Sequence, residues 1–130
     1  MGYDGLMLST AGLERMNLVD LITHQCDPTV FVPAPGQGII AIQTRTEDHY
    51  IQNLIEAVTQ PEINALGYKY YRILEMIQFN CGIPFGAYFD SNDDLWVFFE
   101  KNGRSVSHLF SHELENQIDD AIQFIKGYGE

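Results

Sequence analysis

The stretch "IPFGAYFDSNDDLWVFFEKNGRSVSHLFS", residues 83–111, decides the fold of this chain. It holds three runs rich in aromatic and β-branched residues, which favour β-strands. The polar turn sequences "SNDD" and "KNGR" separate these runs. Asn102-Gly103 accepts the positive φ angles of a type I′ turn, the turn that joins neighbouring antiparallel strands. The stretch therefore predicts a three-stranded antiparallel sheet.

A helical pattern precedes the predicted sheet. In "TQPE", residues 59–62, Thr59 and Glu62 are spaced as a capping box that satisfies two backbone N–H groups, and Pro61 suits the first helical turn. Apolar residues then recur at helical spacing, which predicts one buried helix face. Its members are Ile63, Leu66, Tyr70, Ile73, Leu74 and Ile77.

A second helical pattern follows the sheet, with Ser111 as its predicted cap and Gly127 or Gly129 at its end. Its inward positions are Leu114, Ile118, Ala121, Ile122 and Ile125. The order helix, three strands, helix predicts an α+β fold in which helices pack on a three-stranded antiparallel sheet.

Shorter patterns fill the first half of the chain. "TAGLERMNLVDLI", residues 10–22, predicts a helix capped by Thr10, and Asp48 caps a second short helix. "VFVPAPGQGIIAIQTR", residues 30–45, predicts an extended segment, a turn at Pro35-Gly36 and a strand from Ile39 to Thr44.

Composition and charge bound the function. A length of 130 residues favours one domain, and no apolar run approaches the roughly 20 residues of a membrane span. The formal net charge of -11 disfavours nucleic acid and anionic membranes as partners, since both need a basic surface. Cys26 and Cys81 lie too far apart in sequence for a disulfide framework or metal-ligand spacing. We therefore expect no metal, and a cytoplasmic location.

Three stretches in this order and spacing resemble the C-terminal part of the porphobilinogen deaminase family, also called hydroxymethylbilane synthases. They are "YDGLMLSTAGLERM" at residues 3–16, "VPAPGQGIIAIQTRTED" at residues 32–48 and "NCGIPFGAY" at residues 80–88. The resemblance implies that residues 1–47 are a remnant of deaminase domains 2 and 1. It implies that residues 48–130 form the third domain, which carries the cofactor.

The resemblance also bears on Cys81. Judged from its neighbours alone, a lone cysteine beside Phe79 and Ile83 is typical of a buried apolar filler. The family instead attaches a dipyrromethane cofactor through a cysteine thioether, and by position Cys81 resembles that residue. Arg15 matches a family arginine that holds pyrrole carboxylates, and Gln37-Gly38 lies in a turn near the cofactor in the family.

Several residues depart from the family pattern. Lys69-Tyr70-Tyr71 stands where the family has Ala-Glu-Arg, and Phe79-Asn80 replaces two glycines before the cysteine. The sequence also lacks counterparts of the first domain and most of the second. The catalytic aspartate and most of the arginine cluster belong to those domains, so we assign no catalytic residue and do not expect stand-alone catalysis.

Three hypotheses remain open. The chain is a deaminase-like protein of tetrapyrrole (porphyrin and heme) biosynthesis that carries dipyrromethane and needs a complementary chain to make hydroxymethylbilane from porphobilinogen. Alternatively, it is a non-catalytic binding or regulatory module descended from the deaminase. An unrelated enzyme using histidines is disfavoured, because His108 and His112 straddle a strand end and a helix cap and share no helical face.

The segments that would join missing domains are apolar. We expect exposed surface and open strand edges at Val30, Phe31, Val32, Ile39, Ile40 and Ile42. Such a surface predicts either a homo-oligomer, with strands paired across a two-fold axis, or a complementary N-terminal deaminase chain.

Overall fold

The computed structural model describes residues 2–77 and 84–127. Its elements in chain order are helix α1 (Thr10–Arg15), a 3-10 turn (Val19–Leu21), helix α2 (His49–Glu56), helix α3 (Pro61–Met76), strand β1 (Phe85–Phe89), strand β2 (Leu95–Lys101), strand β3 (Arg104–Phe110) and helix α4 (Gln117–Gly127). This order confirms the predicted α+β fold. Cys81, Phe79 and Asn80 lie outside the described residues.

The three strands form one antiparallel sheet in the order β1-β2-β3. The connection between β2 and β3 is the predicted two-residue turn, with φ angles of 54° at Asn102 and 72° at Gly103. Lys101 and Arg104 therefore face each other across the hairpin. Both φ values lie in the left-handed region, which glycine and asparagine tolerate better than other residues.

The core lies between one face of this sheet and the helices α3 and α4. Leu95, Val97 and Phe99 alternate along β2 on that face and are buried. Ile73 of α3 and Ile122 of α4 pack into the same buried set and are almost fully enclosed. Every described residue that is buried lies at Tyr70 or later in the chain.

The segment around the Pro35-Gly36 turn is anchored to this helix–sheet unit. The N–H of Ala87 in β1 donates to the carbonyl of Pro33 at 2.9 Å. A Cβ atom at Gly86 would lie 2.6 Å from the carbonyl oxygen of Val32, so only glycine permits this approach. The turn itself, as predicted, closes with a hydrogen bond from the N–H of Gln37 to the carbonyl of Ala34. The outer edge of β1 is thus partly covered by residues 32–33.

The strand predicted from Ile39 to Thr44 is wrong: residues 38–46 contain no strand. A strand requires a neighbour for its backbone N–H and C=O groups, and no described segment pairs with this one. The predicted exposure is confirmed for Val30, Phe31, Ile40 and Ile42, with Ile40 at 82%. Val32 and Ile39 are half-buried.

The predicted helix starts need two corrections in the first half of the chain. Ser9, not Thr10, caps α1 by accepting the N–H of Gly12. The capping box at Thr59 does not form. The Thr59 hydroxyl instead donates to the carbonyl of Ile55 at 2.9 Å, which ties it to the end of α2. Asp48 caps α2 as predicted.

The last helix also begins later than predicted. The Ser111 hydroxyl accepts the N–H of Glu113 at 3.3 Å, but α4 starts only at Gln117. Gln117 fixes that start because its side-chain amide donates to the carbonyls of Asp93 and Phe110. Leu114 is consequently 44% exposed rather than inward.

Candidate functional site

Three of the residues that the resemblance assigns to the cofactor, Arg15, Gln37 and Gly38, are exposed, and the fourth, Cys81, lies outside the described residues. Arg15 is the last residue of α1, and no residue within 2–77 or 84–127 forms an ion pair with its guanidinium. Gln37 and Gly38 form the exposed side of the turn, where Gly38 has a φ of 92°. In the described part of the chain no hydrogen bond joins Arg15 to this turn. These side chains are therefore accessible, but the fold does not bring them together.

The turn is nevertheless held rigidly from one side. Gly36, at a φ of 70°, approaches the ring of Tyr70 in α3 closely enough that an added Cβ would lie 3.8 Å from it. The positive φ favours glycine here, and the contact places the turn against α3. Gln37 and Gly38 thus project from a turn supported by both α3 and β1.

Tyr70 supports both the turn and β1. The sequence predicted only that it lies on the buried face of α3. Its hydroxyl accepts the buried N–H of Phe89 at 3.2 Å, and its ring meets the ring of Phe89 edge-on at 5.4 Å. Burial raises the pKa of Tyr70 above its ordinary value. The hydroxyl therefore stays protonated and serves β1 rather than a ligand.

The neighbouring cations of α3 are engaged in ion pairs. Lys69 Nζ lies 2.6 Å from Asp93 Oδ1 and 4.8 Å from the centre of the Phe89 ring. Arg72 Nη2 lies 2.8 Å from Asp119 Oδ1 and links α3 to α4. Both cations are thus engaged in partly exposed ion pairs within the chain.

Tyr71, at the position of a family arginine, points to solvent. Its hydroxyl donates to Glu75 Oε1 at 2.9 Å, and this hydrogen bond raises the pKa of Tyr71. A phenol paired with a glutamate offers no positive charge. Tyr71 therefore does not supply the positive charge that the resemblance implies at this position.

A polar cluster joins the turn between β1 and β2 to the residues after β3. Asp94 Oδ1 accepts the backbone N–H and the ring Nδ1 of His112, each at 2.7 Å. These hydrogen bonds lower the pKa of Asp94 and raise the pKa of His112. Asp90 accepts Trp96 Nε1–H at 3.0 Å, which lowers the Asp90 pKa. At one end of the sheet, the cluster thus connects the β1–β2 turn with the residues that follow β3.

An open surface depression lies elsewhere. It is an open cleft of about 520 Å³ between residues 42–44, α2 and the start of α3. Its lining mixes amide, hydroxyl and aliphatic side chains, among them Gln52, Asn64 and Ile42. Arg15, Gln37 and Gly38 do not line it.

Residues 2–77 and 84–127 contain neither a metal-ligand cluster nor a helix that could span a membrane. No set of three or more histidine, cysteine, aspartate or glutamate side chains is arranged to hold a metal ion there. No helix in this part of the chain is both long and apolar enough to cross a membrane. Cys26 is exposed in the same region.

Comparison with known proteins supports the resemblance seen in the sequence. Residues 1–53 match a family model described as porphobilinogen deaminase, dipyromethane cofactor binding domain. This match confirms dipyrromethane as the cofactor implied by the resemblance. It ends within α2, and therefore does not include Cys81.

Curated porphobilinogen deaminases match more of the chain. The protein of Fusobacterium nucleatum is 26% identical over 89% of this chain and 45% of its own length. That of Roseiflexus castenholzii is 35% identical over 65% of this chain and 28% of its own length. That of an Exiguobacterium species is 32% identical over 71% of this chain and 30% of its own length. The chain thus spans less than half the length of these relatives.

Proposed function

Because this chain is a partial member of the porphobilinogen deaminase family, we propose that it acts in tetrapyrrole biosynthesis as the cofactor-bearing part of a hydroxymethylbilane synthase. The observation that carries the proposal is the family match over residues 1–53, extended by relatives that match up to 89% of the chain. In this proposal Cys81 forms the thioether to dipyrromethane.

A thioether at Cys81 suits stepwise polymerisation. Dipyrromethane, when bound, supplies the primer on which four porphobilinogens condense with loss of ammonia. A covalent tether keeps the growing end beside the same site, so that each addition is effectively intramolecular. Cys81 lies in residues 78–83, between the end of α3 and the start of β1, both of which are fixed by the core.

The exposed residues have supporting roles in this proposal. Arg15 presents a guanidinium fork that binds carboxylates in a bidentate manner. The exposure of Arg15 leaves it available for the acetate and propionate groups of pyrroles. Gln37 and Gly38 offer polar and backbone groups on a turn held by α3 and β1.

A complementary chain is the second part of the proposal. A product that gains carboxylates at each step needs a positive cleft, whereas this chain has a net charge of -11. Lys69, Arg72 and Arg45 are each held in an ion pair with an aspartate. The missing charge and the catalytic aspartate would therefore come from a chain equivalent to the rest of a deaminase. That chain would cover the exposed residues Val30 and Ile40.

One set of observations favours a second function, that of a non-catalytic binding or regulatory module. Tyr71 replaces a carboxylate-binding arginine and pairs with Glu75, and both cations of α3 serve the fold. In this case Cys81 would be an unmodified relic. The two functions differ in one measurable property, the mass attached to Cys81.

The experiment is an intact mass with a peptide map across Cys81. The chain would be purified from its native cell, and again after co-expression with the part of the Fusobacterium nucleatum deaminase that it does not match. We expect a mass increment of two linked pyrroles on the Cys81 peptide. Cys81→Ser should abolish the increment, and Cys26→Ser, at an exposed cysteine, should retain it.

The co-expressed sample would also be assayed for hydroxymethylbilane formation from porphobilinogen. Activity that requires both chains and Cys81 supports the first function. An unmodified thiol in both samples, from correctly folded protein, would exclude the carrier role and leave the binding module.

A further inference from the structure

The two edges of the sheet differ in how their backbone groups are satisfied. At the β1 edge, the N–H of Ala87 donates to Pro33 and the N–H of Phe89 donates to the Tyr70 hydroxyl. At the β3 edge, no residue within 2–77 or 84–127 accepts the outward N–H groups. Among the described residues, the β1 edge is therefore partly covered and the β3 edge is open.

The register identifies the outward groups of β3. Glu100 of β2 donates its N–H toward β1, to the carbonyl of Pro84 at 3.1 Å. Its partner Ser105 must then point its own N–H and C=O away from β2, because bonding direction alternates along an antiparallel pair. Ser107 and Leu109 share that direction. These three residues are exposed.

The open edge lacks three of the features that usually prevent strand pairing. Exposed edges in natural proteins are commonly interrupted by a proline or a bulge, or are very short. β3 has seven residues, contains no proline and pairs with β2 without a bulge. Its outward residues include two serines, whose small side chains allow close approach of another strand.

The sheet also carries opposite charges at its two ends. Asp90, Asp93 and Asp94 lie in the turn beside the end of β3, since Leu95 pairs with Phe110. Glu113 and Glu115 follow β3 at the same end. The hairpin end carries the exposed cations Lys101 and Arg104, with Glu100 the nearest acid in sequence.

An antiparallel second copy fits this edge in register and in charge. With Ser107 opposite Ser107 of the second copy, Ser105 lies opposite Leu109, and all outward groups of the three residues pair. Arg104 then lies opposite Phe110 of the second copy, next to its acidic end. A parallel arrangement would instead place acidic end beside acidic end in a chain of net charge -11.

We propose that the β3 edge is a homodimer interface, in which two copies pair antiparallel about a two-fold axis at Ser107 and form one continuous six-stranded sheet. The interface is separate from residues 30–42, and its test does not involve Cys81. The proposal therefore holds or fails independently of the cofactor.

The test is sedimentation equilibrium of the full chain at about 1–200 µM, with Ser107→Pro as the disrupting variant. We expect the wild type to approach twice the 14.8 kDa chain mass. Proline removes the central outward N–H but leaves the bonds between β3 and β2 intact, because Ser107 does not bond to β2. The dimer Kd should rise about tenfold or more. Ser107→Ala keeps the N–H and should leave Kd within about twofold.

A charge-reversal variant and amide hydrogen exchange provide two further, independent tests of the interface. Arg104→Glu should raise Kd about threefold to tenfold at low salt and less at high salt. In the wild type, the amide hydrogens of Ser105, Ser107 and Leu109 should exchange slowly at high protein concentration and fast on dilution. The exchange measurement uses only the wild type, so a misfolded Ser107→Pro protein would not affect its result.

A wild type that stays monomeric at about 200 µM would overturn the proposal. So would a dimer whose Kd is unchanged by Ser107→Pro, or a dimer in which the three amides exchange at the unprotected rate.

Discussion

Residues 61–127 and residues 2–47 differ in what holds them in place. The first region contains the sheet, α3, α4 and every buried residue that the structure describes, with Ile73, Leu95 and Val97 fully enclosed. The second has no buried residue among those described, and most of its large apolar side chains are exposed, with Tyr3 at 95% and Val30 at 81%. Among the described residues of that region, residues 32–36 contact β1 and α3, and Ile39 packs against the core.

The part of the chain that matches the family model and the part that forms the core are different. The family model matches residues 1–53, the part of the chain without a core of its own. The part with a core supplies stability and holds both flanks of residues 78–83. Under the proposed function, the first region is kept for contacts with another deaminase part. Substitutions should therefore affect the two regions differently.

The largest difference is expected in the core. Ile73→Ala should lower the free energy of unfolding by about 2–5 kcal/mol, because it removes fully buried methylene groups and leaves a cavity. Ile40→Ala, at a side chain that is 82% exposed, should change it by about 0.5 kcal/mol or less. Urea denaturation of both variants checks the contrast. Equal losses would show that residues 2–47 share the core.

A smaller effect is expected where the two regions touch. Gly86→Ala places a Cβ against the backbone of Val32 and Pro33, so residues 32–33 must move away from β1. The cost should be about 1–3 kcal/mol. Gly67→Ala is the matched control, since its Cβ meets nothing within 4 Å and alanine favours the helix by up to about 1 kcal/mol. A neutral Gly86→Ala would mean that this contact does not hold the segment.

The tyrosines of α3 provide the next comparison. Tyr70→Phe removes the acceptor for the buried N–H of Phe89 and should cost about 1–3 kcal/mol. Tyr71→Phe removes only an exposed hydrogen bond to Glu75 and should cost about 0.5 kcal/mol or less. Thermal unfolding of the two variants distinguishes the roles. Similar losses for both would contradict the support that Tyr70 gives to β1.

The smallest effect is a pH dependence at the Asp94–His112 pair. The His112 pKa is raised above 6.5, so its stabilisation is complete below pH 6.5 and is lost as pH rises through the raised value. The Asp94 pKa is lowered below 3.8, so its stabilisation is present above that pH and is lost as pH falls through the lowered value. The pair therefore contributes most between about pH 4 and 6.5.

His112→Asn keeps the backbone N–H but removes the ring cation. The Tm difference from the wild type should be larger at about pH 5.5 than at about pH 9. A difference that does not change with pH would show that the ring pairing with Asp94 carries no charge-dependent stability.

The sequence predicted the sheet and its hairpin well because those signals are local. Asn102-Gly103 specifies the turn, and alternation along β2 specifies which side faces the core. The strand predicted from Ile39 to Thr44 was wrong because its β-branched pattern needs a neighbour, and no described segment pairs with it. The predicted start of the last helix at Ser111 was wrong because tertiary hydrogen bonds intervene. The side-chain amide of Gln117 donates to the carbonyls of Asp93 and Phe110, which belong to two other segments.

The candidate site was less predictable for a related reason. Family resemblance identified Arg15, Gln37 and Gly38, and the structure shows them exposed. It could not reveal that Tyr70 holds the turn and β1, because a tyrosine at helical spacing indicates only a core position. Nor could it reveal that Lys69 pairs with Asp93, which is 24 residues away in sequence.

The most direct test of the account is amide hydrogen exchange, followed by mass spectrometry, on the chain alone and with the unmatched part of the Fusobacterium nucleatum deaminase. Alone, β2 and α3 should be protected, and residues 38–46 should exchange within seconds. On addition of the complementary part, residues 38–46 should become protected while β2 stays unchanged. Protection of residues 38–46 in the chain alone, or no change on addition, would contradict the claim that this region is completed by another deaminase part.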